Sequence, residues 1–218
     1  MSKKPRIVLL HGTPVAVEPI QKSFASRWPG AETVNLLDDS LSVDRAKDPD
    51  LTDRMFERFI ELGGYARRIG ADAILVTCSA FGPAIERMAR DVGVPVLKPN
   101  EAMIAEALKH GRRIGLVATF APTFASMRPE FAAAAPHVEL VTAHAAGAME
   151  ALAAGDAATH DSRIAAAAAT LRHCDVIALA QFSMARAREA ATAASGRTVL
   201  TTPDNAVLAL KARLKNHS

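Results

Sequence analysis

The stretch ADAILVTCSAFGPAIE, residues 71–86, decides the fold of this chain. An apolar run, Asp72–Thr77, leads directly into Cys78 and Ser79, and a segment of helical period, Pro83–Val92, follows. A short apolar run that passes through a small polar turn into a helix is typical of a parallel-sheet strand. A thiol at the end of such a strand is either a small core residue or a chemically active group, because free cysteine behaves as a modest hydrophobe.

The same alternation of strand and helix continues along the whole sequence. The predicted strands are Arg6–His11, Glu32–Leu37, Asp72–Thr77, Pro95–Lys98, Arg113–Thr119, Val138–Ala143, Asp175–Ala180 and Thr198–Thr201. The predicted helices are Asp53–Ile69, Pro83–Val92, Thr123–Ala134, Asp161–Arg172 and Met184–Ala194. This alternation predicts an α/β fold with parallel sheets that are covered by helices on both faces.

The chain also repeats itself. RIVLLHGTP at 6 resembles RIGLVATFAP at 113, and WPGAETVNLLD at 28 resembles APHVELVTAH at 135, each at an offset of 107. ADAILVTCSA at 71 resembles CDVIALAQFS at 174, and VPVLKPN at 94 resembles RTVLTTPDN at 197, each at an offset of 103. Four matched segments in one order predict a duplication.

We therefore expect two pseudo-symmetric subdomains, each with a four-stranded parallel sheet. The expected boundaries are 1–97 with 199–218 for the first subdomain and 98–198 for the second. Ligands of open α/β sheets bind beyond the carboxyl ends of the strands, so we expect an active-site cleft between the subdomains. The offset of 103 places Cys78 on one wall of this cleft and Gln181 on the other.

Composition excludes several classes of function. The net charge of +3 is small, the basic residues are dispersed among acidic ones, and the chain has one Trp and one Tyr, so we expect no nucleic-acid partner. The sequence has no apolar run of the roughly 20 residues that a membrane helix needs. The first six residues lead into a predicted strand rather than a signal peptide, so we expect a cytoplasmic protein. Cys78 and Cys174 are expected at opposite strand ends, too far apart for a disulfide.

Four motifs at strand ends resemble the aspartate/glutamate/hydantoin racemase superfamily. They are LLHGTP, VTCSAFGPAIE, VATFAPT and LAQFSMARA, and together they cover nearly the whole chain. The resemblance implies an enzyme without cofactors, in which two cysteines face the substrate α-carbon. Cys78 matches the first cysteine, but Gln181 stands at the position of the second. An amide has no usable proton-transfer pKa, so the symmetric two-thiol mechanism does not carry over.

What the resemblance leaves is a site with one cysteine, as in the related arylmalonate decarboxylases and maleate isomerases. We expect the helix that follows Cys78 to lower the pKa of its thiol, with backbone N–H groups of the Ser79–Phe81 turn directed at the ligand. His11 ends the neighbouring strand and is the candidate acceptor for the Cys78 proton. The alternatives are that Cys78 belongs to the core and that His11 caps a loop.

Substrate binding is expected from polar groups and backbone amides at the matched strand ends. These candidates are Thr13, Thr77, Ser79, Ala80, Thr119, Phe120, Thr123, Gln181, Ser183 and Asn100. Ser183 has the alternative role of an N-cap for the helix predicted from Met184. Asp38 and Asp39 lack a third ligand at suitable spacing, so no metal site is expected.

The sequence thus predicts an isomerase or racemase-like enzyme that acts on a small carboxylate or amino-acid derivative. Racemization, cis-trans isomerization, hydantoin-type epimerization and decarboxylation all stay open. A carboxylate-binding protein that has lost turnover is the alternative that Gln181 favours. Self-association of the chain also stays open.

Overall fold

The computed structural model of the protein describes residues 4–48 and 50–215, in which strands and helices alternate. The strands are β1 (Arg6–His11), β2 (Glu32–Leu37), β3 (Ala73–Val76), β4 (Val96–Leu97), β5 (Arg113–Ala118), β6 (Glu139–His144), β7 (Val176–Leu179) and β8 (Val199–Thr201). The helices are α1 (Val17–Arg27), α2 (Ser40–Arg45), α3 (Asp53–Arg68), α4 (Gly82–Val92), α5 (Glu101–His110), α6 (Pro122–Ala134), α7 (Ala148–Ala153), α8 (Ala157–Thr170), α9 (Arg188–Ser195) and α10 (Thr202–Lys215). Short 3-10 segments lie at Pro14–Ala16, Ser79–Phe81 and Phe182–Ala187.

The strands form two parallel four-stranded sheets. The strand order is β2-β1-β3-β4 in the first sheet and β6-β5-β7-β8 in the second, so equivalent strands hold equivalent places. The starts of the central strands repeat the offsets found in the sequence, since β1 and β5 begin at Arg6 and Arg113 and β3 and β7 at Ala73 and Val176. The predicted α/β fold with two four-stranded parallel sheets is confirmed.

The chain folds into two compact units. One comprises Met1–Pro99 with Pro203–Ser218, and the other comprises Asn100–Thr202. The sequence placed residues 199–201 in the first subdomain, and this is wrong for the strand they form. β8 pairs in parallel with β7, with Val199 opposite Ile177, and therefore closes the second sheet. Only the helical segment from Pro203 onward returns to the first unit.

Burial follows from the position of each strand in its sheet. All residues of β3 and β7 are buried, because each strand has neighbours on both sides and helices over both faces. The outer strands β2 and β6 contain exposed and half-buried residues and no fully buried one. The continuous apolar runs of the sequence therefore mark the fully buried strands β3 and β7.

The helices that follow β3 and β7 begin differently from the prediction. In the first unit, α4 starts at Gly82 with Pro83 in its first turn, and its last residue, Val92, is followed by Gly93, whose φ of 70° lies in the left-handed region. In the second unit, the residues after Gln181 form a 3-10 segment, so α9 begins at Arg188 instead of the predicted Met184. Within residues 4–48 and 50–215, no helix is long and apolar enough to span a membrane.

Candidate functional site

Cys78 lies at the carboxyl end of β3, at the entrance to the Ser79–Phe81 3-10 segment. Its backbone is extended, with φ −114° and ψ 119°, and its side chain is partly accessible. The chain turns immediately afterwards into α4. The Ala80 N–H hydrogen-bonds the Cys78 sulfur. The turn thus supplies part of the polar setting that the sequence predicts.

The pKa of Cys78 nevertheless moves in the direction opposite to the prediction. Burial raises the pKa of the thiol, and this effect outweighs three groups that lower it: the Ala80 N–H, the Ser42 hydroxyl and the charge of Arg45. The expectation of a net lowering by the helix N-terminus is therefore wrong, because it neglected desolvation. At neutral pH the resting site holds a thiol.

Two of the groups that act on Cys78 come from α2, a helix that the sequence did not predict. The Ser42 hydroxyl donates to the Gly12 carbonyl at 2.6 Å. Arg45 is 4 % exposed, and its Nε donates to the Ala80 carbonyl at 3.4 Å. Helix α2 is therefore bonded both to the loop after β1 and to the turn after β3. A six-residue helix with polar residues has no clear periodicity, and Arg is rarely buried, so the sequence carries little signal for this contact.

Gly12 allows the close approach of these groups. A Cβ atom at this position would lie 3.3 Å from Ser42 Oγ and 3.5 Å from both Cβ and Sγ of Cys78. An added methyl group would therefore crowd the Ser42 hydroxyl and lie in van der Waals contact with the thiol. Gly12, rather than His11, is the residue of the first strand and its loop that lies beside the cysteine.

His11 is fully buried and both of its ring nitrogens already have partners. Nδ1 lies 2.8 Å from Thr77 Oγ1, and Nε2 lies 3.0 Å from Asn35 Oδ1. Burial lowers the pKa of His11, and the hydrogen bond to Asn35 opposes this shift. A neutral imidazole fits the two contacts when Nε2–H donates to Asn35 and Nδ1 accepts from Thr77. The predicted role of His11 as the direct acceptor of the Cys78 proton is therefore not supported by its contacts.

Strand geometry explains why His11 does not face the cysteine. Leu10 lies opposite Val76 in the parallel register, so His11 and Thr77 are the next pair and share a face of the sheet. Successive side chains of an extended strand point to opposite faces, so Cys78 points to the other face from Thr77. Once strands β1 and β3 are placed side by side, the alternation of side chains along each strand predicts which residues share a face, so the sequence carried this signal.

Gln181 occupies in the second unit the place of Cys78 in the first. It follows β7, enters the Phe182–Ala187 segment and has extended backbone angles, φ −118° and ψ 151°. Its Oε1 accepts from the Thr119 backbone N–H at 3.0 Å, and its Nε2 donates to Thr123 Oγ1 at 3.0 Å. The structure thus brings together three of the predicted binding residues. The carboxamide is held at both ends and has no titratable proton.

The remaining predicted residues have different surroundings. Thr13 is half-buried and precedes the Pro14–Ala16 segment, while Phe120 accepts the Thr123 N–H through its carbonyl. Ser79 and Ser183 are buried within the 3-10 segments, so Ser183 is not the N-cap of a helix from Met184. Asn100 is fully buried, and neither polar atom of its side chain has a hydrogen-bond partner.

Cys174 is a core residue. It is 1 % exposed and packs with Leu171, Ile177 and other apolar side chains of the second unit. Both cysteines are free thiols. Cys78 is therefore the thiol of the described chain that combines access with polar neighbours.

Comparisons with known proteins bear on the family and the fold. The family model described as Asp/Glu/Hydantoin racemase matches residues 13–210. No curated protein matches the sequence. Among solved structures, a glutamate racemase from Bacillus anthracis is similar at a TM-score of 0.80 and 13% identity, covering 98% of this chain and 83% of that one.

Two further solved structures share the fold. Aspartate racemase from Picrophilus torridus is similar at a TM-score of 0.76 and 14% identity, covering 97% of this chain and 94% of that one. Arylmalonate decarboxylase is similar at a TM-score of 0.69 and 14% identity, covering 98% of this chain and 94% of that one. At these identities the likeness shows the fold, and the match over residues 13–210 shows the family. The chain belongs to the Asp/Glu/hydantoin racemase family of enzymes.

Proposed function

We propose that the protein is a cofactor-independent isomerase or racemase-like enzyme that acts on a small carboxylate or amino-acid derivative through one thiol, Cys78. The observation that carries this proposal is that two equivalent strand ends have different residues, Cys78 and Gln181. The first holds a partly accessible thiol among polar groups, and the second holds a carboxamide without a titratable proton. The proposal therefore assigns proton transfer to Cys78 and none to Gln181.

The proposed chemistry begins with the thiolate of Cys78. The sulfur removes a proton from the carbon next to the substrate carboxylate or carbonyl, and the electron pair of the broken C–H bond moves onto the oxygens. In this proposal backbone N–H groups of the Ser79–Phe81 turn stabilise the oxyanion that develops. Return of the proton from the thiol to the same face gives exchange with solvent, whereas inversion requires a proton from water on the opposite face, after which Cys78 loses the abstracted proton to water. No redox partner is needed, because electrons and protons balance among the substrate, Cys78 and water.

The raised pKa of Cys78 favours a second candidate, a decarboxylation. A thiol that is protonated in the resting enzyme can act as a proton donor without prior deprotonation. In this reaction the C–C bond to one carboxylate breaks, that carboxylate leaves as CO₂, the remaining carbanion takes the Cys78 proton, and water reprotonates the thiolate. Gln181 supports this candidate as well, since only one proton-transfer group is required.

In this account His11 is a positioning residue. Its hydrogen bond to Thr77 fixes the residue that precedes Cys78, and its bond to Asn35 ties the same face of the sheet to β2. The two free thiols are in keeping with a reducing compartment, so we propose a cytoplasmic enzyme.

The experiment that tests the proposal is incubation with amino acids, hydantoins and substituted malonates in deuterated water. We expect at least one compound to gain deuterium at the α-carbon, with or without loss of CO₂, and the Cys78→Ala variant to lack this activity. Ligand binding by the wild type in thermal-shift assays without deuterium incorporation or turnover would instead support a carboxylate-binding protein. Detection of CO₂ separates decarboxylation from simple exchange.

A further inference from the structure

Arg45 is a buried cation whose hydrogen bonds go to backbone carbonyls. Its guanidinium donates to the carbonyls of Ala80 and Asp48, and the side chain is 4 % exposed. Among residues 4–48 and 50–215, no carboxylate forms an ion pair with it. A buried charge is costly unless an opposite charge or several dipoles compensate it. Two carbonyl dipoles supply only part of that compensation.

The acidic residues around α2 pair with a different cation. Arg58 donates to Asp44 at 2.8 Å and to Asp38 at 2.5 Å. Asp44 is the residue immediately before Arg45, yet its carboxylate turns to Arg58 and Lys47. The fold thus leaves the guanidinium of Arg45 directed at the turn that carries Cys78.

Ser42 links the same helix to the thiol. Its hydroxyl donates to the Gly12 carbonyl at 2.6 Å, so while Cys78 is a thiol its hydrogen bond with Ser42 is one in which the S–H donates to Ser42 Oγ. A hydroxyl has one proton, so Ser42 cannot donate to Gly12 and to sulfur at the same time. When the thiol loses its proton to water, the Ser42 proton can rotate from the carbonyl to the negatively charged sulfur, which is then the stronger acceptor.

We propose that Arg45 is the counter-charge of the Cys78 thiolate and that Ser42 is its switchable hydrogen-bond donor. Both are positioning residues, since they act through Cys78. The inference describes the protein without substrate. It rests on the proposed function only where the stabilised thiolate is expected to affect turnover.

The other groups around Cys78 do not supply this charge. From the turn, Ala80 contributes a backbone N–H, and from the loop after β1, Gly12 contributes no side chain. His11 lies on the opposite face of the sheet, bonded to Thr77 and Asn35. Arg45 is therefore the charged side chain of the described residues that acts on the thiol.

The test is the pH dependence of Cys78 alkylation by iodoacetamide, followed on the Cys78 peptide by mass spectrometry. Alkylation tracks the thiolate fraction, which increases with pH. We expect Arg45→Gln to move the midpoint upward by about one pH unit, so that the rate below the midpoint falls about tenfold. Arg45→Lys keeps the charge and should retain most of the wild-type rate. Ser42→Ala should shift the midpoint upward by less than Arg45→Gln.

Arg58→Gln is the matched control, because it removes a cation beside the same helix that already has two carboxylate partners. Its midpoint should equal that of the wild type. An unchanged midpoint in Arg45→Gln overturns the inference, and so does a shift in Arg45→Lys as large as that in Arg45→Gln. If Arg45→Gln does not fold by circular dichroism, Arg45→Lys and Ser42→Ala decide: a wild-type midpoint in Ser42→Ala, or an upward shift of about one pH unit in Arg45→Lys, would contradict the proposal. No substrate is involved, so failure of the proposed function leaves this test intact.

Discussion

Thr77 Oγ1 and His11 Nδ1 lie 2.8 Å apart on one face of the first sheet, one residue before the cysteine that points to the other face. The contact connects the ends of two neighbouring strands inside the protein. With Asn35 on its second nitrogen, the imidazole is fully bonded in its neutral form. A buried neutral histidine makes the stability of the protein depend on pH.

We expect the free energy of unfolding to decrease as the pH falls below about 6.5, the ordinary pKa of histidine. Burial lowers the pKa of His11 in the folded protein, so the unfolded chain binds a proton at a higher pH than the native state does. The contribution of His11 is therefore complete above the unfolded pKa and is lost as the pH falls through the folded one. Urea unfolding between pH 5 and pH 8 measures this slope, and His11→Gln should reduce it. An identical slope in the variant would show that other groups cause it.

Cys78 should react with iodoacetamide faster than Cys174. Burial raises the pKa of both thiols, so access decides their relative rates, and Cys174 is 1 % exposed within the core of the second unit. Cys78 is partly accessible and sits among polar groups. Peptide-level mass spectrometry of the folded protein measures both rates in one sample. Faster labelling of Cys174 would contradict the assignment of the site.

Gly12→Ala should slow alkylation of Cys78 severalfold while leaving the protein folded. The new methyl group would lie 3.3 Å from Ser42 Oγ and 3.5 Å from the sulfur, so it would hinder the approach of a reagent and displace the Ser42 hydroxyl. Gly30→Ala is the matched control, since nothing lies within 4 Å of a Cβ there. Equal rates in the two variants would mean that Gly12 does not border the reactive thiol.

Gln181→Ala should destabilise the second unit by roughly 1–3 kcal/mol, because it leaves the Thr119 N–H and the Thr123 hydroxyl without the side chain that now bonds both. Gln181→Cys should cost stability for the same reason. The duplication further predicts that this variant adds a second proton-transfer group to the enzyme. Thermal unfolding measures the first effect, and exchange of a chiral substrate in both configurations measures the second. A variant as stable as the wild type would show that the two hydrogen bonds contribute little.

The sequence predicted the fold closely because its signals are local or repeated. Continuous apolar runs mark the buried strands β3 and β7, and the offsets between equivalent segments located the two sheets. The last strand was misplaced although the offset of 103 between VPVLKPN and RTVLTTPDN makes it the equivalent of β4 and so predicts its pairing with β7; this repeat was not applied to the domain boundary.

The surroundings of Cys78 were predicted less well. Its place at a strand end was readable, but the balance between desolvation and nearby donors depends on how tightly Ser42, Arg45 and Gly12 approach the sulfur. The short helix that carries Ser42 and Arg45 has no periodic pattern. The contact of His11 with Thr77 follows from strand parity, which places both side chains on one face of the sheet and was not used in the sequence prediction.

We propose Cys78 as the proton-transfer group. The test is to compare the wild type with Cys78→Ser for deuterium incorporation from deuterated water into the best substrate of the panel. A serine hydroxyl is nearly isosteric with the thiol but far less acidic, so the fold and most of the ligand affinity should be retained. We predict that the rate of incorporation falls about 1,000-fold or more, equivalent to about 4 kcal/mol of barrier stabilisation. Incorporation by Cys78→Ser at the wild-type rate would contradict this proposal and show that Cys78 is a structural residue.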